Sequence, residues 1–177
     1  MTPPTVDDAL AAVRQLDGWL RDEQMRWLFE AARRLEPGAT IVEIGSYRGR
    51  SAILLGLGAV DGVHVVAIDP HAGSDRGPQE ISADTDRGQA DHEAFLANLT
   101  AAGVRDRIRP VRRKSGDATD EVRSVDLLFI DGAHRYGPAA DDIRRWGQKV
   151  RPGGEMLLHD AFNAVGVTLA QWRWLLF

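Results

Sequence analysis

The stretch from Thr40 to Ser51 (TIVEIGSYRGRS) constrains the fold more than any other part of the chain. Thr40 to Ile44 is a short apolar run of the kind that forms a buried parallel strand. Gly45 and Gly49 then mark a tight turn where the backbone must approach something closely. Ser51 begins a second apolar run, Ala52 to Leu55, that reads as a helix. A strand that turns through glycines into a helix presents backbone N–H groups and the positive end of a helix dipole. Such a turn can hold the polar part of a nucleotide-like cofactor.

From residue 40 onward, strand and helix alternate. Strands are expected at Thr40–Ser46, Val63–Asp69, Ile108–Lys114, Val125–Asp131 and Glu155–Asp160. Helices are expected at Arg50–Val60, Asp91–Ala102, Tyr136–Val150 and Val165–Phe177. Residues 6–35 also read as helical, with Met25, Leu28, Phe29, Ala32 and Leu35 at helical spacing and Pro37-Gly38 as the stop. Pro152-Gly153-Gly154 reads as a turn. Residues 71–90 read as a long loop; loops beyond about 12–15 residues are commonly functional. The expected fold is α/β: a doubly wound, mostly parallel sheet with right-handed crossovers. Residues 1–36 form a helical cap on a domain spanning 37–177. In such sheets ligands sit at the carboxyl ends of the strands. Glu43, Asp69, Ser115 to Asp117, Asp131 and His159-Asp160 all fall there, from five separate segments.

At 177 residues a single domain is the default, and 44% hydrophobic residues suffice for a core. A formal charge of −4 disfavours a nucleic-acid or acidic-membrane binder. Six basic residues crowd Arg105 to Lys114, but without interleaved aromatics, so they read as solvated flanks of a strand. The absence of cysteine excludes disulfides and thiolate metal sites. No apolar run approaches the roughly 18 residues of a membrane span, and no secretory signal is evident at the N-terminus. These features suit a cytoplasmic protein with a small-molecule partner.

Each candidate has a plain reading beside the functional one. The glycine turn lacks the third glycine of a dinucleotide fingerprint and can be purely structural. Asp69, at a strand end before Pro70, can accept hydrogen bonds from a ribose diol or can simply be solvated. Ser115 or Asp117 can cap a helix. His159 reads as a buried strand histidine bonded to backbone rather than as a ligand. Trp172 and Trp174 are open to a core or an oligomer-contact reading, which leaves a homo-oligomer possible.

Glu43-x-Gly45-x-Tyr47-x-Gly49-x-Ser51 resembles the first motif of class I S-adenosylmethionine-dependent methyltransferases, especially catechol- and caffeoyl-type O-methyltransferases. The likeness continues through Ile68-Asp69-Pro70, Phe129 to Tyr136 and Arg151 to Asp160. These last segments are similar to the sugar and macrolide O-methyltransferase branch. The resemblance implies that Glu43, Gly45, Ser46, Tyr47 and Ser51 surround the methionine end of S-adenosylmethionine. It places Asp69 on the ribose and Ser115, Gly116 and Asp117 near adenine, with Asp131 also at the cofactor. It further implies magnesium on Asp131 and Asp160, polarising an acceptor hydroxyl. His134 stands where catechol-type enzymes carry a lysine, and imidazole suits a general base.

There are departures. Catechol-type enzymes follow the second metal-binding Asp with Asn; here Ala161 follows Asp160, and Asn163 is two residues further on. The sugar-modifying branch has an acidic pair where this chain has His159-Asp160. The family sheet ends in an antiparallel hairpin of strands six and seven, which the sequence is expected to lack, either as a shortened chain or with a partner covering that edge. Two other functions stay open: a cofactor-binding protein without methyltransferase activity, and a nicotinamide-binding reductase. Residues 71–90 are expected to act as a lid.

Overall fold

The computed structural model describes residues 3–74, 82–161 and 164–176. Two helices, α1 (Val6–Val13) and α2 (Asp22–Arg33), precede a βα alternation: β1 (Thr40–Ile44), α3 (Arg50–Gly58), β2 (His64–Ile68), α4 (Thr85–Ala101), β3 (Ile108–Val111), β4 (Val125–Ile130), α5 (Tyr136–Gly147), β5 (Val150–Leu158) and α6 (Val165–Leu176). The sheet runs β3-β2-β1-β4-β5 with every pairing parallel. The order reverses between β1 and β4, so a crevice opens at their carboxyl ends. No helix among the described residues is long and apolar enough to cross a membrane.

The central strands are apolar on both faces because helices cover both. On one side Ile41, Val65 and Leu127 pack against α1, α2, α3 and α4. On the other, Val42, Val66 and Leu128 meet Ile143 and Trp146 of α5 and Val167 of α6. The N-terminal helices therefore share one core with the sheet: Leu10, Met25, Leu28 and Ile53 are all buried together. Thr5 caps α1 with a reciprocal capping box to Asp8, which fixes where that helix begins.

Three boundaries depart from expectation. The helical lead-in is two helices, since Leu16 to Arg21 form a non-helical connector. α4 starts at Thr85 rather than Asp91, because the Asp84 carboxylate caps the Arg87 N–H. The loop between β2 and α4 is correspondingly shorter, and its residues 75–81, the centre of the expected lid, lie outside the described residues. Finally, Pro152-Gly153-Gly154 does not precede the last strand but lies inside it. Val125 pairs with Val150 and Leu127 with Glu155, so the glycine-rich segment bulges out of register. Three of the six basic residues of the cluster are paired locally: Arg107 with Asp61, Arg109 with Glu121, and Arg113 with Asp120 and Glu121. Trp172 is about half exposed, while nothing is described of the Trp174 side chain.

Candidate active site

A cavity of about 500 Å³ occupies the crevice at the carboxyl ends of β2, β1 and β4. That is within the usual range for a cofactor or small-molecule site. Gly45, Ser46, Tyr47, Ser51, Asp69, Ser115, Asp131 and His134 all line it. The sequence-distant candidates thus meet at one place.

The glycine turn is held from within. Ser46 N and Tyr47 N each donate to Asp69 Oδ2 at 2.9 Å, and His71 N donates to Asp69 Oδ1 at 2.7 Å. Gly45 N donates to Ile68 O, and Gly49 N to Ser46 O. The N–H groups of 45, 46, 47 and 49 are therefore committed, and the turn is not the open cradle suggested by its sequence. Asp69 pins the turn to β2. A carboxylate has about four acceptor positions; three are taken, which leaves room for one ligand hydroxyl rather than a diol. Gly45, at φ 87°, has no alternative: a Cβ there would sit 2.2 Å from the Asp131 carbonyl oxygen. That contact brings the end of β4 against the turn.

Three non-glycine residues among those described adopt a left-handed conformation: Tyr47, His71 and Asp160. All three follow the carboxyl ends of strands at this site. Such conformations cost energy and collect at functional sites. Tyr47 carries the Trp19 ring at 5.4 Å between centroids and the Arg48 guanidinium over its own ring at the same distance. Arg48 also binds buried Asp91 at 2.9 Å and pairs with Asp17. Arg50 donates to the carbonyls of Val13, Arg14 and Gly18. The turn is thereby tied to the α1–α2 connector, whose Trp19, 62% exposed, forms one wall of the cavity.

Some expected residues do not reach the cavity wall. Glu43 is fully buried beneath the turn with neither carboxylate oxygen hydrogen-bonded. Burial pushes it up to about 8, against the opposing pull of the Ser51 and Ser46 hydroxyls. It supports the turn from below rather than lining the cavity. Gly116 and Asp117 belong to a single 3-10 turn after β3 and also miss the wall, Asp117 being exposed. Ser115 does line it, with its hydroxyl donating to Asp142 and its carbonyl accepting from Trp146 Nε1 at 3.2 Å.

At the far end, β4 and β5 deliver a compact ionisable cluster. His134 Nε2 lies 3.1 Å from Asp160 Oδ2 and 4.0 Å from Asp131 Oδ1. His159 is buried, as expected, but its Nδ1 faces carboxylates rather than backbone: Asp131 Oδ1 at 2.8 Å and Asp160 Oδ2 at 3.6 Å. Its ring is not aligned for a hydrogen bond to either. Burial pushes Asp131 up, although the His159 and His134 rings pull the other way. Burial also opposes charge on His159, yet Asp131 and then Asp160 outweigh it and the imidazole titrates higher than usual. Asp160 and His159 stand behind the cavity wall, with His134 and Asp131 in front. Asn163 lies outside the described residues.

A family model described as a methyltransferase domain matches residues 42–161, from the middle of β1 through the end of the β5 cluster. This chain belongs to the methyltransferase domain family. Solved structures share its fold. A Podospora anserina methyltransferase bound to S-adenosylhomocysteine superposes with a TM-score of 0.65 at 19% identity, over 89% of this chain and 62% of that one. An O-methyltransferase from Streptomyces achromogenes involved in tomaymycin synthesis, in complex with S-adenosylmethionine, gives 0.64 at 18%, over 95% and 74%. An O-methyltransferase from Bacillus cereus in complex with S-adenosylhomocysteine gives 0.63 at 18%, over 99% and 79%. The methyltransferase domain described here thus spans about 62–79% of the length of these three chains.

Two residues of this methyltransferase domain were accessible to sequence reasoning and passed over. Asp142 lines the cavity almost fully buried, and burial pushes it up to about 6 despite the Ser115 hydroxyl. It lies on the Ala139–Ile143–Trp146 stripe of α5. Asp91 lies four residues before Phe95 on the buried stripe of α4. An acid where a helix should be apolar was the available signal. Trp19 gave no comparable signal, because its place at the cavity depends on how the connector folds back.

Proposed function

We propose that the chain transfers the methyl group of S-adenosylmethionine to a hydroxyl oxygen of a small molecule. The observation that carries this reading is one shared cavity: Asp69 and the glycine turn face it from one end, Asp131 and His134 from the other. The cofactor fits this chain's residues. Asp69 retains an acceptor position for a ribose hydroxyl, and Ser115 with Asp142 borders the β3 side, where the adenine would rest. Gly45, Ser46, Tyr47 and Ser51 border the methionine end, with Glu43 beneath them. Gly116 and Asp117 would act only by shaping the turn that presents Ser115. When bound, the cofactor supplies an electrophilic methyl on a sulfonium sulfur.

His134 is the proton acceptor in this reading. Asp160, 3.1 Å from its Nε2, orients the ring. His134 would take up the proton that the acceptor hydroxyl gives up when it is methylated. Trp19 and Tyr47 close one wall and restrict the acceptor's approach, which is the positional part of the rate. Magnesium on Asp131 and Asp160 fits poorly. Two imidazoles crowd those carboxylates, whereas magnesium prefers oxygen ligands and retained waters.

Calorimetric titration with S-adenosylhomocysteine tests the cofactor half; one site per chain, with no heat from NADH, is expected. Methyl transfer to a panel of small hydroxylated acceptors tests the other half. His134→Ala should lower turnover by at least about 100-fold while leaving the S-adenosylhomocysteine affinity within a few-fold. Binding of NADH in place of S-adenosylhomocysteine would overturn the proposal.

A further inference from the structure

We propose that His71 and His92 are positioning residues for the glycine turn: an ordered pair of imidazoles that holds the Tyr47 carbonyl and so fixes the wall that Tyr47 gives the cavity. The inference deepens the proposed methyl transfer and rests on that reading for what the turn binds. The leading observation is the order of the donors. His71 is 7% exposed, and its Nε2 lies 2.8 Å from Tyr47 O. A carbonyl oxygen only accepts, so a neutral His71 carries its proton on Nε2 and presents a bare Nδ1. His92 Nδ1 faces that bare nitrogen at 3.4 Å, a long hydrogen bond in which His92 is the donor. The N–H groups thus run one way, from His92 to His71 to the turn.

The reverse order is unfavourable. With its proton on Nδ1 instead, His71 would set a lone pair against Tyr47 O. It would gain only Asp69 Oδ1 at 3.8 Å, an oxygen that already accepts the His71 backbone N–H. His92 therefore decides which nitrogen of His71 bears the proton.

α4 supplies more than His92. Asn98 Nδ2 donates to Arg48 O at 2.9 Å, and Arg48 Nε donates to Asp91 at 2.9 Å. The carbonyls of Tyr47 and Arg48, two consecutive peptide units of the turn, are thus tethered to one helix, the first of them through His71. Phe95 of the same helix backs both rings, with its centroid 5.4 Å from His71 and 6.4 Å from His92. Tyr47 needs such a restraint, because a φ of 44° is uncommon for a large side chain. With its carbonyl held, the Tyr47 N–H stays on Asp69 and the ring stays beside Trp19.

The test uses the full chain, with S-adenosylhomocysteine as the ligand. Nitrogen-15 correlation spectra of the imidazoles, recorded without ligand near pH 8, above the usual imidazole pKa of about 6.5, should show His71 protonated on Nε2 and His92 on Nδ1. Calorimetry then compares shape-matched variants. An Asn amide nitrogen can stand where His92 Nδ1 stands, and a Gln amide nitrogen where His71 Nε2 stands. His92→Leu should weaken S-adenosylhomocysteine about 5-fold or more and leave His71 a mixture of tautomers, whereas His92→Asn should stay within about 2-fold of the parent. His71→Met should cost at least about 10-fold and His71→Gln less than about 3-fold. Near-ultraviolet circular dichroism shows that each variant is folded. A packing role alone predicts equal losses within each pair of variants. Equal losses within either pair, or His71 protonated on Nδ1 in the parent, would overturn the assignment. A parent that binds S-adenosylhomocysteine with the wrong ring protonation sinks the imidazole pair alone; one with the expected protonation and no S-adenosylhomocysteine binding sinks the methyltransferase reading alone.

Discussion

Replacing Glu43 with Gln should flatten the pH dependence of folding stability. Glu43 lies fully buried under the glycine turn, with no hydrogen bond to either oxygen, and burial raises it from 4.5 to about 8. At about 1.4 kcal/mol per pH unit, ionising it in the fold costs roughly 5 kcal/mol more than in the unfolded chain. The sign follows directly. Between pH 4.5 and about 8 the folded state keeps a proton that the unfolded state has released, so stability falls as pH rises through that window. Glu43→Gln retains shape and removes the titration. Urea unfolding of both proteins at pH 5.5, 6.5 and 7.5 should show the variant gaining on the parent by about 2.5–3 kcal/mol across the series. The amide meets the same buried surroundings as the neutral acid, so the offset between the proteins should otherwise be constant. A stability difference that stays within about 0.5 kcal/mol over the range would refute the account of a proton held beneath the turn.

Gly45→Ala should destabilise by more than about 4 kcal/mol, because its Cβ would meet the Asp131 carbonyl; Gly38→Ala, at a similar φ of 92° with nothing within 4 Å, should cost only about 1 kcal/mol, and equal losses would remove the clash argument. Arg48→Met should cost about 2 kcal/mol in chemical denaturation, since it takes a guanidinium from buried Asp91 while Arg48 itself is 31% exposed; the same loss in an Asp91→Asn background would contradict it. Asp142→Asn should stabilise the fold by up to about 3 kcal/mol at pH 7 and by little near pH 4, because burial holds the acid up at about 6. Thermal unfolding at the two pH values decides that case.

The parallel α/β architecture was legible because buried parallel strands are continuously apolar and helical stripes repeat every three to four residues. Val125 to Ile130 and the Ala139–Ile143–Trp146 stripe show both signals plainly. The start of α4 was missed because Asp84 as a cap competes with a surrounding run of loop-like residues. The bulge in β5 was missed because Gly153 and Gly154 signal a turn in any register. At the site, residue identities were legible and their engagements were not. Asp69, expected to face a ribose, does line the cavity, but the sequence held no sign that most of its acceptor capacity goes to Ser46, Tyr47 and His71. His159 was expected to bond to backbone, but the distance that matters runs to Asp131, on the neighbouring strand. Short-range pattern reports propensity, whereas which polar atoms meet across β1, β2, β4 and β5 depends on strand order and twist.

Tyr47, His71 and Asp160 hold left-handed backbone at the ends of β1, β2 and β5. Each such residue carries roughly 1 kcal/mol or more that glycine or asparagine would recover. A laboratory selection for thermal resilience alone would therefore be drawn to these three positions early. Its winners would be sturdier proteins whose cavity walls had been released from their imposed angles. Selection that also demands ligand retention should leave all three untouched and find its gains elsewhere in the chain.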